Sequence, residues 1–189
     1  IDGVRRWPYL DPAAARQAAQ FQPEDGDVVL VTYPKCGTQW VTQIIDLIRH
    51  RGESASSYSK LVGRAPSLEN YGIEGLKDLQ PPRFMQSHFQ LLRDAFNPKA
   101  KYVYVARNPW DCCVSHYHNC RDLAFFKFAD GTFDDFFEAF VAGELCNGDY
   151  FEHVLHGHTR RNEPNVFFFT YETLKADTPG TIIKLASLP

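Results

Sequence analysis

The segment YPKCGTQW, residues 33–40, lies where an apolar run gives way to a helical pattern. Residues 27–33 read DVVLVTY, a run typical of a buried strand. After the segment, apolar residues recur at helical spacing, at Val41, Ile44, Ile45 and Ile48. The sequence therefore predicts a strand, a turn and a helix in direct succession, with residues 33–40 forming the turn at the helix N-terminus.

This 33–40 turn has the features of an anion-binding loop. The first N–H groups of a helix have no acceptors within the helix, and the helix dipole adds partial positive charge there. Gly37 allows an anion to approach the main chain closely, and Lys35 adds a full charge. The turn is P-loop-like in position, but its lysine precedes the glycine, whereas in the common nucleotide-binding loop it follows. The alternative is an ordinary turn with a solvated Lys35 and a core Trp40.

Length and composition indicate one globular domain spanning residues 1–189. The chain is 44% hydrophobic and 14% aromatic, enough for a substantial core. Strand and helix patterns alternate, which predicts an α/β domain with a central, mostly parallel sheet flanked by helices. We predict further strands at 83–87, 101–106 and 165–170, helices at 111–122, 133–142, 150–158 and 181–188, and a long loop at 52–82 with short helical pieces at 66–71 and 73–79.

Charge and cysteine content exclude several kinds of site. Lys plus Arg number 20 against 23 acidic residues, so the net charge of −3 does not favour nucleic acid or an anionic membrane. No apolar stretch has the length of a membrane span, and the first residues lack a signal-peptide pattern. The five cysteines lack metal-ligand spacing, which indicates reduced thiols and no metal site. We therefore expect a cytoplasmic protein that binds neither nucleic acid nor membrane.

A second candidate anion site follows the strand predicted at 101–106. This strand is followed by Arg107, and Ser115 lies about two helical turns further on. Arginine presents a bidentate fork to phosphate, and a serine hydroxyl can donate beside it. Ligands of open α/β sheets bind at the carboxyl ends of strands, where both Lys35 and Arg107 fall. The alternative is that Arg107 only pairs with Asp111 at the start of the helix.

Both motifs resemble those of the cytosolic sulfotransferase family. The first family motif, T-Y-P-K-[SA]-G-T-x-W, matches residues 32–40 except that Cys36 replaces the usual Ser. The second, A-R-N followed by D-x-x-x-S, matches residues 106–115. The resemblance implies that the donor is 3′-phosphoadenosine-5′-phosphosulfate (PAPS), that the product is 3′-phosphoadenosine-5′-phosphate (PAP), and that no metal takes part.

The resemblance also implies roles for individual residues. It implies a 5′-phosphosulfate cradle formed by Lys35, Cys36, Gly37, Thr38 and Gln39. It implies that Arg107 and Ser115 form a pocket for the 3′-phosphate. It also implies that Trp40 and Tyr171 contact the adenine. Residues 84–89 resemble the family's K-T-H segment, which makes His88 the candidate general base. Lys35 is the second candidate catalytic residue, because it would neutralise charge on the leaving oxygen.

The expected acceptor is a small phenol, alcohol or amine, and aromatic pocket walls favour a phenol. The candidate acceptor contacts are Gln86, Phe84, Phe89 and Asn119, with Tyr71, Tyr117 and Phe125 as weaker candidates. Asn119 and His116 stand where many family members have aromatic residues, which predicts a more polar pocket than usual. Gln86 stands where the family has a lysine, which predicts slow turnover or an unusual acceptor.

Cys36 is a second departure from the family pattern. A thiol at a helix N-terminus beside Lys35 predicts a lowered pKa for Cys36, and hence inhibition of donor binding by thiol oxidants.

The family's sequences continue well beyond this one. The missing part holds an R-K-G-x-x-G-D-W region that clamps the 3′-phosphate, and the usual dimerisation segment. We therefore expect a sulfotransferase domain that is incomplete at its C-terminus, with a homodimer left open. Two other functions stay open: a catalytically silent nucleotide-binding module, favoured by Gln86 and Cys36, and a nucleotide kinase, which the order of the 33–40 turn disfavours.

Overall fold

The computed structural model describes residue 1, residues 5–90 and residues 95–188. A parallel four-stranded sheet lies at its centre, formed by β1 (Val28–Thr32), β2 (Phe84–Ser87), β3 (Lys101–Ala106) and β4 (Val166–Thr170). The strand order is β2-β1-β3-β4.

Helices connect these strands and cover both faces of the sheet. They are α1 (Pro12–Gln20), α2 (Thr38–Arg49), α3 (Tyr58–Arg64), α4 (Leu68–Tyr71), α5 (Pro109–Asp122), α6 (Phe133–Val141), α7 (Tyr150–Thr159), α8 (Tyr171–Ala176) and α9 (Thr178–Ala186). Short 3₁₀ helices span Gly72–Leu76 and Ala124–Phe126. Within the described ranges, no helix is both long and apolar enough to cross a membrane.

Two apolar cores lie on opposite faces of the sheet. Because strand side chains alternate in direction, Val29 and Val31 pack on one face, with Ala18 of α1 and Leu68 of α4. Leu30 packs on the other face, with the buried residues Ile44, Ile45, Leu174 and Leu185 of α2, α8 and α9. The result is three layers, helix–sheet–helix, which confirms the predicted α/β class.

A third apolar cluster joins α5, α6 and α7 beside the 33–40 turn. Phe136 and Phe140 of α6 are buried in it with Tyr33 and Tyr150. Thr132 caps α6, since its side chain accepts a hydrogen bond from the Asp135 main chain. Phe136 and Phe140 therefore form core, whereas Phe133 at the start of the same helix is exposed.

The register of the sheet aligns the carboxyl ends of its strands. Val31 of β1 lies opposite Ser87 of β2, and Thr32 lies opposite Val105 of β3. Ala106 of β3 lies opposite Thr170 of β4. The residues that follow these strands, and with them both predicted anion sites, therefore reach the same edge of the sheet.

The predicted strands are all present, but three helices were not predicted. Helix α1 is rich in alanine, and its cap Asp11 accepts from the main-chain N of Ala14 at 2.8 Å. Helix α3 interrupts the loop predicted at 52–82, with Ser57 as its cap. Helix α8 begins directly at the end of β4, so no loop residues mark the boundary. The last helix begins at Thr178 rather than at 181, because Asp177 caps it and accepts from the N of Gly180 at 2.9 Å.

A buried ion pair joins the starts of β1 and β2. Arg83 donates from Nε to Oδ1 of Asp27 at 2.9 Å and from Nη2 to Oδ2 at 2.6 Å. The side chain of Asp27 is only 2% exposed, and its Oδ2 also accepts from the main-chain N of Glu24. Removing one partner from such a pair leaves the other desolvated and uncompensated.

We expect Asp27→Ala to lower the free energy of unfolding by about 2 kcal/mol. This loss is smaller than the usual cost of breaking a buried ion pair, because Arg83 keeps its contact with Glu24. Urea denaturation of the full-length protein measures this. Asp25→Ala is the matched control, since Asp25 pairs with Lys99 at the surface and the pair is screened by water. Equal denaturation midpoints for the two variants would contradict the prediction.

Candidate active site

A cavity of about 650 Å³ opens at the carboxyl edge of the sheet. Its walls come from the 33–40 turn, the start of α2, one face of α5 and the chain around residues 7–9, with further contributions from residues 58–71. The volume lies in the range of ligand-binding pockets in proteins. Eleven of the predicted site residues line it: Lys35, Gly37, Thr38, Gln39, Trp40, Gln86, His88, Arg107, Ser115, Asn119 and Tyr171.

The conformation of the 33–40 turn requires glycine at position 37. Gly37 caps α2 with a φ of 99°, and a Cβ placed there would meet Cδ2 of Tyr171 at 2.8 Å. No side chain of the described residues caps this helix end. Its first N–H groups therefore remain available as donors for an anion, and the residues that carry them, Thr38, Gln39 and Trp40, line the cavity. Lys35 also has a positive φ, of 70°, unusual for a residue with a side chain.

Lys35 is held at both its main chain and its side chain. Its Nζ donates to Oδ1 of Asn119 at 2.9 Å, and its carbonyl accepts from Nη1 of Arg107 at 2.9 Å. Burial lowers the pKa of the Lys35 ammonium, and the nearby charge of Arg107 lowers it further. Two cations thus lie close together, which is an electrostatic setting that a bound anion would relieve.

Arg107 joins the turn to the aromatic end of the cavity. Its guanidinium lies 4.5 Å from the ring centre of Tyr171, and its Nε is buried with no hydrogen-bond partner among the described residues. The rings of Trp40 and Tyr171 meet edge to face at 5.5 Å. Arg107 forms no ion pair with Asp111 in the described structure. The alternative in which Arg107 only pairs at the helix start is therefore not observed.

The position of His88 defines which ring nitrogen carries the proton. Its Nδ1 lies 2.8 Å from the carbonyl oxygen of Thr32, which can only accept, so Nδ1 is the donor. Nε2 then keeps the lone pair, as a general base requires. Thr32 Oγ1 lies 3.2 Å from the same Nδ1 and 2.7 Å from Oγ1 of Thr38. The imidazole is thereby connected to the 33–40 turn.

Glu69 positions the chain around His88 and was missed by sequence reasoning. Its carboxylate is buried, and Oε1 accepts from Oγ of Ser87 at 2.5 Å and from the main-chain N of His88 and of Phe89. Oε2 accepts from Oγ of Ser67 at 2.8 Å. Glu69 lies on a four-residue helix within a segment predicted to be mostly loop, and no motif or spacing in the sequence marks it as buried.

Gln86 lines the cavity with its amide already engaged. Its Oε1 accepts from Oγ1 of Thr42 at 3.1 Å, and its Nε2 donates to the carbonyl of Ala65 at 3.0 Å. One N–H of the amide is left for a ligand.

The N-terminal segment supplies part of the cavity wall that the sequence did not indicate. The ring of Trp7 meets that of His88 edge to face at 5.3 Å, and Tyr9 meets Phe125 at 4.6 Å. Tyr71 and Phe125, two of the weaker acceptor candidates, also line the cavity. A tryptophan and a tyrosine before the first helix carry no spacing signal that ties them to a site.

Phe84 and Phe89 lie away from the cavity, which corrects their prediction as acceptor contacts. Phe84 is 1% exposed at the amino end of β2, and alternation directs its side chain into the core with α2. Phe89 is buried on the other face of the sheet, beneath the guanidinium of Arg6. Tyr117, another weaker candidate, faces the cluster around α6.

The prediction of a lowered pKa for Cys36 is wrong. The thiol is completely buried beneath the turn, with its Sγ 3.8 Å from that of Cys112. Burial raises the pKa of Cys36 well above its ordinary value, and the contact with Cys112 raises it further. The thiol itself cannot reach a ligand in the cavity, and the main-chain N of Cys36 donates to the carbonyl of Tyr33 at 3.3 Å.

We expect iodoacetamide at neutral pH to leave Cys36 unmodified in the folded protein, because the thiol is buried and protonated. Cys146, a free thiol with partial exposure, should react first. Mass spectrometry of tryptic peptides measures both sites. The protein unfolded in guanidinium chloride is the control and should show both cysteines labelled. Labelling of Cys36 as fast as Cys146 without unfolding would contradict the placement of Cys36.

Comparison with known proteins agrees with this geometry. A family model for the sulfotransferase domain matches residues 25–188. Sulfotransferase 1A1 of Bos taurus is 35% identical over 175 residues, which cover 87% of this chain and 59% of the relative. Sulfotransferase 2A1 of Homo sapiens is 33% identical over 171 residues, covering 88% and 60%.

The crystal structure of mouse sulfotransferase SULT7A1 complexed with PAP aligns with a TM-score of 0.80 at 25% identity, covering 100% of this chain and 66% of that one. The chain spans about three fifths of the length of the two curated relatives named here. The match over most of its residues shows that this chain belongs to the sulfotransferase family.

Proposed function

We propose that the protein containing this chain transfers a sulfuryl group from PAPS to a hydroxyl or amine of a small, phenolic acceptor. One observation carries the proposal: a single cavity holds an uncapped helix N-terminus, two clustered cations and an imidazole with a lone pair at Nε2. The first two suit a doubly anionic donor, and the third suits an acceptor that must lose a proton.

The donor would lie across the carboxyl edge of the sheet. The 5′-phosphosulfate would accept hydrogen bonds from the first N–H groups of α2 and from Lys35, while Arg107 and Ser115 would bind the 3′-phosphate. Trp40 and Tyr171, beside Arg107, would contact the adenine. PAP in the mouse relative supports this assignment of the ligand.

The transfer would proceed by in-line displacement at sulfur. His88 Nε2 takes the proton of the acceptor hydroxyl as its oxygen bonds to sulfur and the bond from sulfur to the bridging oxygen of PAPS breaks. Lys35 neutralises the charge that develops on that bridging oxygen. The Thr32–Thr38 contact supports this division of roles, because it holds the base and the donor turn at a fixed separation.

Gln86 is the residue that most weakens transition-state stabilisation in this scheme. A lysine at this position would offer a charge-assisted hydrogen bond, whereas the Gln86 amide is neutral and partly engaged by Thr42 and Ala65. We therefore propose slow turnover, with the silent nucleotide-binding module as the second candidate function. Family membership argues against a nucleotide kinase.

A small-molecule acceptor and a cytoplasmic location belong to the same proposal. The cavity volume of about 650 Å³ suits a nucleotide and a compact acceptor rather than a macromolecule. All five cysteines are free thiols, which persist in a reducing compartment.

We expect full-length protein to transfer radiolabelled sulfate from PAPS to members of a phenol panel. His88→Ala should lower kcat at least about a hundredfold, because proton removal loses its base. His158→Ala, at the end of α7 and outside the cavity, is the control. No transfer to any acceptor, despite tight PAP binding, would identify the silent module instead.

We expect Arg107→Lys to weaken PAP binding about tenfold or more, because an ammonium cannot replace a bidentate fork. Isothermal titration calorimetry of the full-length protein with PAP measures the affinity. Arg51→Lys, at an exposed position outside the cavity, is the matched control. An unchanged affinity in Arg107→Lys, or an equal loss in Arg51→Lys, would remove Arg107 from the donor site.

A further inference from the structure

His116 is a buried polar residue on the cavity wall that the proposed reaction does not use. It lies on α5 and is 3% exposed, yet it is among the residues that line the cavity. Neither ring nitrogen has a hydrogen-bond partner among the described residues, and Nδ1 is fully buried. Buried polar groups without partners are uncommon in native proteins, so this imidazole requires an explanation.

The His116 ring is neutral. Burial lowers its pKa to about 3, with smaller contributions from Lys35 and His88. A neutral imidazole has one N–H donor and one lone pair, one on each ring nitrogen. Because Nδ1 is fully buried, Nε2 is the ring nitrogen that a ligand in the cavity can reach. These same electrostatic contributions mean that His116 lies close to the two groups that would flank the transferred sulfuryl.

Packing alone does not account for a histidine at this position. The ring meets those of Tyr33 and Phe136 edge to face, at 6.0 Å and 5.4 Å. These contacts are with aromatic faces and edges, which a phenylalanine would make equally well without burying a polar nitrogen. The polar character of His116 therefore indicates that the imidazole forms a hydrogen bond with a ligand in the cavity.

The cavity face of α5 changes in character along the helix. Ser115 lies nearest the proposed donor site, His116 and Asn119 follow, and Leu123 lies at the far end. Beyond it, Phe125 and Phe126 complete an apolar wall. An acceptor bound along this face with its hydroxyl at His88 would contact polar side chains near that hydroxyl. It would contact aromatic side chains near its other end.

The Trp7 ring lies against His88, beside the place where an acceptor hydroxyl would meet its base. Nε1 of Trp7 is fully buried, as is Nδ1 of His116, so of these two side chains only His116, through Nε2, offers a nitrogen that an acceptor can reach. An acceptor with no second polar group would leave this Nε2 unpaired, whereas one with a hydrogen-bonding group beside its hydroxyl would not.

We propose that His116 is a specificity-determining residue that selects acceptors carrying a second hydrogen-bonding group beside the hydroxyl that is sulfated. This inference rests on the proposed sulfuryl transfer and names the acceptor class of the same cavity. The second group, such as the neighbouring hydroxyl of a 1,2-dihydroxybenzene, donates to or accepts from the imidazole of His116.

The test compares catechol with 2-methylphenol, in which a methyl group of similar size replaces the second hydroxyl. For the full-length wild type we expect kcat/KM to favour catechol at least about tenfold, the range expected when a buried hydrogen-bonding group loses its partner. In His116→Phe the ratio should fall about tenfold. His116→Gln, which places an amide near the position of Nε2, should keep more of the ratio, whereas His116→Asn, whose amide lies near the buried Nδ1, should not.

His118→Phe is the matched control, with the same chemical change at an exposed position of α5 outside the cavity, and it should leave the ratio unchanged. PAP affinity measured in each variant reports whether the donor site is intact. A ratio unchanged in His116→Phe would overturn the inference and indicate that water satisfies the imidazole. Equal losses in all three His116 variants would also overturn it, since shape rather than hydrogen bonding would be responsible. Absence of transfer to either compound by the wild type would instead refute the proposed function.

Discussion

The hydrogen bond from His88 Nδ1 to the carbonyl of Thr32 is the contact on which the site depends, because it joins the ends of two neighbouring strands. It fixes the imidazole tautomer, and it fixes the distance between the imidazole and the turn that follows Thr32. Glu69 holds the other side of the same segment through the main-chain N of His88. The proposed base is therefore positioned by backbone groups and a buried carboxylate, which hold their geometry better than contacts between exposed side chains would.

The sequence predicted the parts of the molecule that are determined by residues close together in the chain. The 33–40 turn, the strand before it and the placement of Lys35 and Arg107 at the carboxyl edge of the sheet follow from residue types whose backbone and charge requirements act within a few positions. Trp7 and Glu69 could not be predicted in this way, because each reaches the site through a long-range contact. Phe84 was assigned to the pocket from its nearness in sequence to His88, but strand alternation and its position at the amino end of β2 direct it into the core.

Cys36 shows which of two opposing effects decides a thiol's chemistry in this site. A helix N-terminus stabilises a nearby negative charge by about 0.3–1 kcal/mol at an exposed position. Removing a charge from water into a protein interior costs several kcal/mol. Sequence position revealed only the first effect, whereas the structure shows complete burial. Burial prevails, and the thiol packs as a small apolar side chain against Cys112 and the third apolar cluster.

Helix α5 lines both the proposed donor half and the proposed acceptor half of the cavity. Its Ser115 faces the proposed 3′-phosphate position, and its Asn119 accepts a hydrogen bond from Lys35 across the cavity. A pocket lined by unpaired hydrogen-bonding groups rejects an acceptor that lacks the matching group more strongly than an apolar pocket rejects a missing methylene. In the proposed reaction, polar residues on this helix would therefore affect the choice of acceptor more than aromatic residues of similar size. Because the same helix also faces the proposed donor position, its placement relative to the 33–40 turn would set the geometry of both halves.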